Sequence, residues 1–131
     1  MRTKLLTRQN FKEAVFARDG HKCLFCELPP VDAHHIIDRS LFPDGGYYLD
    51  NGASVCEFHH FECEKTNISI EDVRLAAKIT QPVLPPSFDP AKVYDKWGNE
   101  VLPSGQRLCG PLFWSDGCLK ILDHILDIFV I

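Results

Sequence analysis

The spacing of apolar residues divides the chain into stretches of helical period and stretches broken by turns. Thr7 or Asn10 can cap a first helix running to about Ala17, which puts Phe11, Ala14 and Val15 on one side. Asp19-Gly20 ends it. Pro29-Pro30 forbids an immediate second helix, and the loose alternation from Val31 to Ile37 predicts a short strand. Pro43-Asp44-Gly45-Gly46 marks a loop, after which Tyr47 to Leu49 reads as a returning strand. Ala53 to Val55 leads into Cys56, and residues 57–66 read as a helix. Ser69-Ile70-Glu71-Asp72 opens another, to about Ile79.

Four prolines between 81 and 90 make that stretch extended or irregular. The turn signals Trp97-Gly98-Asn99 and Pro103-Ser104-Gly105 lie close together, so residues 92–108 predict a small meander of short strands. From Asp116 to about Val130, Leu119, Leu122, Ile125, Leu126 and Phe129 recur at helical spacing. The last four residues, Ile128-Phe129-Val130-Ile131, are apolar enough to dock on the core or to form an oligomer contact.

A length of 131 residues suits a single domain, and 45% apolar with 24% charged residues is ordinary for a globular chain. No apolar run approaches the roughly 20 residues needed to span a bilayer, so no membrane partner is expected. The N-terminus breaks its apolar pair with charges and offers no secretory segment, which predicts a cytoplasmic protein. Reduced thiols are the rule there, so six cysteines point to metal binding before disulfides. The net charge of −4 hides an uneven distribution. Residues 1–22 carry six basic side chains against Glu13 and Asp19, a local balance of +4, and the remainder of the chain is acidic.

Cys23-x-x-Cys26 and Cys56-x-x-His59 are two pairs at ligand spacing. A gap of two residues lets both side chains of a pair reach one tetrahedral ion, and soft thiolates favour Zn(II), so a closed structural site is expected. Cys63, seven residues after Cys56, is a rival fourth ligand.

Between and beside these pairs stand Asp32-Ala33-His34-His35-Ile36, Gly45-Gly46, Asn51, His60 and Lys65. Together with Arg18-Asp19-Gly20-His21-Lys22-Cys23, this order and spacing resemble the HNH endonuclease family over residues 10–66, with a His-His pair as in the colicin-type nucleases. The resemblance implies an α+β chain: a small ββα-metal core with a structural zinc knuckle, followed by an accessory region, 67–131, holding the β-meander and terminal helix. It implies His35 as general base and Asn51 as the residue that fastens the loop and orients that base. It implies His34 and His60 as ligands of a catalytic divalent ion, and His59 as the last zinc ligand where the family usually has Cys.

The chemistry is consistent with those roles. A histidine with a pKa near ~6.5 can take a proton from water at neutral pH. Two protein ligands leave an ion open positions for phosphate and the leaving oxygen. Successive side chains of an extended chain point to opposite sides, so His34 can hold metal while His35 faces water. Asp32, on the His34 face, could orient that ring. A histidine pair makes Mg(II), Mn(II), Ni(II), Co(II) and Zn(II) all eligible. Arg39 and Lys65, near the motif, and Arg8, Lys12 and Arg18, on the first helix, are candidate phosphate contacts, with Trp97, Tyr47 and Tyr48 as candidate stacking surfaces.

The expected activity is metal-dependent hydrolysis of nucleic-acid phosphodiesters, with DNA favoured over RNA as partner and substrate. The alternative is a zinc-stabilised module that binds nucleic acid or protein without turnover. The terminal helix is the expected contact for a homodimer or larger complex. Without a broad basic surface, nucleic-acid binding should be weak and salt-sensitive.

Overall fold

The computed structural model describes residues 4–130. The chain adopts the expected mixed α+β class, built from four helices, a two-stranded sheet and a three-stranded sheet among those residues. Helix α1 (Arg8–Arg18) is capped by Thr7, whose hydroxyl accepts from the Asn10 amide at 3.1 Å. It buries Phe11 and Val15, one turn apart.

Strands β1 (Asp32–His35) and β2 (Gly52–Val55) pair antiparallel, with Asp32 opposite Val55 and His35 opposite Gly52. The predicted strand at 47–49 is absent. Gly45 and Gly46 both take positive φ, the Tyr48 amide bonds back to the Gly46 carbonyl, and a 3-10 turn (Leu49–Asn51) delivers the chain into β2. Helix α2 (Glu57–Glu64) follows directly, capped by the Cys56 sulfur. It ends two residues earlier than expected because Thr66 turns into the left-handed region at φ 62°. Helix α3 (Ile70–Ala77) is capped by Ser69 as anticipated and stops at Lys78, again at positive φ.

Two apolar clusters hold the hairpin. Phe11, Val15 and Ala33 pack α1 on one side, while Ile36, Ile37, Ala53, Val55, Cys63 and Val73 join the hairpin to α2 and α3. Arg18 belongs to this scaffold and is not available to phosphate. Its guanidinium donates to the carbonyls of Leu49 (2.8 Å) and Gly52 (2.7 Å) and pairs with Asp19, whose Oδ2 accepts from the Ser54 amide.

Residues 81–90 contain neither helix nor strand. Strands β3 (Glu100–Val101) and β4 (Arg107–Leu108) form the predicted meander. Helix α4 (Asp116–Leu122) is shorter than the periodicity suggested: the chain tightens to a 3-10 helix over Asp123–Ile128, kinks at Ile125, and ends as strand β5 (Phe129–Val130). That strand pairs parallel with β4, and Phe129 packs on Phe113 with centroids 4.6 Å apart. A continuous helix would have held the Phe129 backbone away from β4, so the tail docks on its own chain through Phe129, while Ile131 lies outside the described residues. No helix among the described residues is long and apolar enough to cross a membrane.

Candidate functional site

The first cluster is built by the knuckle after α1 and the start of α2. The Cys23 amide donates to the Leu28 carbonyl and the Glu27 amide returns to Cys23, with Glu27 at φ 63°, so the Cys23–Cys26 turn closes on itself. Cys23, Cys26, Cys56 and His59 place four donor atoms within 4.8 Å of one another. Sulfurs of Cys26 and Cys56 lie 3.6 Å apart, and His59 Nδ1 is 3.3 Å from the Cys56 sulfur and 3.7 Å from that of Cys23. Tetrahedral zinc with ~2.3 Å Zn–S bonds needs sulfurs about 3.7 Å apart, so the four residues fit that ion. Burial opposes ionisation of Cys56, but the amide and ring of His59 outweigh it and bring the thiol down to about 6. Cys63, the rival ligand, is outside the cluster: it lies in the core, where burial pushes its thiol up to about 12.

The second cluster is built by β1 and α2. β1 sends His34 towards α2, where its ring meets that of His60 edge-on at 5.3 Å, and the next helical turn adds Glu64. Donor atoms of His34, His60 and Glu64 lie within 4.8 Å of one another. His60 Nε2 is 3.1 Å from Glu64 Oε1. His34 is buried, and its Nδ1 has no hydrogen-bond partner in the protein. The donors fit a divalent cation of intermediate softness. Glu64 was not foreseen; its signal was the i, i+4 spacing from His60 on a predicted helix. Asp32 sits beside the other ring from the one anticipated, with Oδ2 3.7 Å from His60 Nδ1.

A cavity of about 500 Å³ opens over this cluster and takes in His35, Arg39 and Tyr47 with Arg8 and Lys12 of α1. His35 stacks on Phe11 (4.8 Å) and meets Tyr47 edge-on (4.9 Å), and its Nε2 has no partner in the protein. Burial, followed by the charge of Lys96, lowers the His35 pKa to about 4. The same two causes, with His60 and His35 behind them, hold His34 well below its ordinary value. Both rings are therefore neutral at pH 7.

Asn51 is buried and ties the segment after β1 to the glycine loop, accepting from the Ile37 amide and donating to the Gly46 carbonyl. Lys65 is not at the cavity: it pairs with Glu62 at 3.3 Å and lies over Phe61. Trp97 is no free stacking surface, since its Nε1 donates to the Glu64 carbonyl at 2.8 Å. Tyr47 is committed to His35 and Phe11, and the Tyr48 hydroxyl donates to Asp44. Lys96, which the sequence did not single out, lines the cavity and pairs with Asp38 at 2.9 Å and Glu64 at 3.4 Å.

No protein-family model, curated protein or solved structure matches the chain. What fold and site define is an α+β protein whose Cys₃His cluster can hold zinc.

Proposed function

We propose that the chain is a metal-dependent HNH-type endonuclease hydrolysing phosphodiester bonds, with DNA the favoured substrate. One observation carries this reading: a single unit of two strands and a helix gathers His34, His60 and Glu64 as potential ligands and sets the neutral, unpartnered His35 on the same cavity. In this reading His35 takes a proton from the attacking water, its ring held in place by Phe11 and Tyr47. Asn51 keeps β1 and the glycine loop in register, so the base stays aimed. Arg8, Lys12 and Arg39 supply cationic contacts for the flanking phosphates. A divalent ion held by His34, His60 and Glu64 would supply charge against the phosphate and leaving oxygens.

Plasmid nicking tests the proposal, with the wild type and His35→Ala assayed in Mg(II), Mn(II) or Ni(II). Nicking by the wild type, lost by at least about a hundredfold in the variant, is the expected result. Equal rates for the two proteins would overturn it. RNA and single-stranded DNA run in parallel identify the substrate class.

A further inference from the structure

The loop Asp95-Lys96-Trp97-Gly98-Asn99 lies outside the hairpin and helix just described, yet it delivers a cation to them. Asp95 organises it. Its Oδ1 accepts from the amides of Trp97 (2.8 Å) and Asn99 (3.0 Å), and its Oδ2 from Asn99 Nδ2 (3.0 Å) and Arg107 Nη1 (2.9 Å). The two residues at the tip then fasten to Glu64 at separate points. Trp97 holds its carbonyl, while Lys96 Nζ lies 3.4 Å from its Oε2. The same ammonium stands 2.9 Å from Asp38 Oδ1, and the Lys96 carbonyl accepts from the Asp38 amide at 3.0 Å. The Lys96 side chain is 5% exposed and sits 4.3 Å from the centre of the Trp97 ring. Burying an ammonium this fully is unfavourable unless carboxylates meet it, and two do.

We propose that Lys96 is a positioning residue that sets the charge beside the His34–His60–Glu64 cluster. The proposal rests on reading that cluster as the catalytic metal centre. Glu64 turns Oε1 to His60, while its buried Oε2 accepts no hydrogen bond and has the Lys96 ammonium 3.4 Å away as its counter-charge. Asp38, Lys96 and Glu64 together carry a formal charge of −1; without the lysine they carry −2. Lys96 therefore weakens the hold on a divalent cation. The C-terminal region acquires a role: it tempers a site whose ligands it does not contribute.

Mn(II) titration of the zinc-loaded full chain, followed by the EPR signal of free Mn(II), tests this. Lys96→Met is expected to bind Mn(II) about tenfold more tightly than the wild type, the effect of one nearby unit charge. Lys96→Arg keeps the charge and should stay within about threefold. Asp38→Asn should bind about tenfold more weakly. Asp38→Asn/Lys96→Met restores the −1 balance and should bind more tightly than Asp38→Asn alone, which keeps the comparison open if Lys96→Met does not fold. Unchanged or weaker Mn(II) binding on removing Lys96, in folded protein and in both backgrounds, would overturn the inference. A wild type that binds no Mn(II) overturns it together with the metal-centre reading, whereas Mn(II) binding without nicking overturns only the proposed nuclease activity.

Discussion

Asn51 grips the backbone of Ile37 from both sides: its Oδ1 accepts from the Ile37 amide at 3.0 Å, and its Nδ2 donates to the Ile37 carbonyl at 3.1 Å. The same Nδ2 also donates to the Gly46 carbonyl at 3.1 Å, so one buried amide takes over just past the last backbone bond of the hairpin, from the Ile36 amide to the Asn51 carbonyl. Asn51→Ala leaves the buried amide and carbonyl of Ile37 without side-chain partners and the Gly46 carbonyl with only the Tyr48 amide, and the expected loss is about 2–4 kcal/mol. Urea denaturation should show it as a lower midpoint with an unchanged slope. A loss below about 1 kcal/mol would mean that the loop is held by other contacts.

Gly52 sits where α1 crosses the hairpin. Its φ of −126° suits any residue, so the requirement for glycine is steric. An added Cβ would run into Val15 Cγ2 and lie 2.8 Å from Phe11 Cζ. Gly52→Ala should destabilise the fold by about 1–3 kcal/mol, and Val15→Ala should relieve part of that loss. A double-mutant cycle by urea denaturation measures the coupling, and strictly additive losses would contradict the proposed clash.

The six thiols should separate by chemistry. Cys23, Cys26 and Cys56 are protected when zinc is bound, whereas burial pushes the thiols of Cys63 and Cys118 up to about 12. Cys109, half-buried at the edge of the C-terminal sheet, should be the fast-reacting thiol of the zinc-loaded protein at pH 8. Chelation should release one zinc per chain, add three reactive cysteines and lower the melting temperature. Mass spectrometry after brief alkylation reads all of this, and early labelling of Cys63 would be inconsistent with its place in the core.

Asp38 gives the acid side of the stability curve a testable shape. Burial alone would raise its carboxyl, but the charge and hydrogen bond of Lys96 and the bonds from Ser40 more than offset that and hold it below its ordinary value. A depressed carboxyl contributes stability that is present above the unfolded value near ~3.9 and is lost as pH falls through the folded one. Asp38→Asn should therefore reduce stability by about 1–2 kcal/mol at pH 6, and the difference should shrink towards pH 3. A constant difference across that range would remove Asp38 from the acid transition.

Local chemistry made much of the molecule legible in advance. Ser69 caps the helix it was expected to cap, and Thr7, one of two candidates with Asn10, caps the first, because a side-chain oxygen three residues ahead of a free amide needs no tertiary help. The Cys23-x-x-Cys26 and Cys56-x-x-His59 pairs announced one cluster, since each pair's geometry is set within a single turn. The side of β1 on which His34 lies followed from the alternation of a strand. Helix length at the C-terminus was not legible. The period continues to Phe129, but pairing with β4 and packing on Phe113 reward a kink at Ile125 that no local signal records. The fates of the cations were equally non-local: Arg18 turns inward to two carbonyls 31 and 34 residues away, Lys65 turns along its own helix, and Lys96 crosses 58 residues to reach Asp38. Sequence alone thus determined the ligand types and their local spacing, which depend on neighbours along the chain. Which donor joins which cluster, and which charge stands beside it, depended on long-range packing, because only the folded chain brings Glu64, Asp38 and Lys96 together out of water.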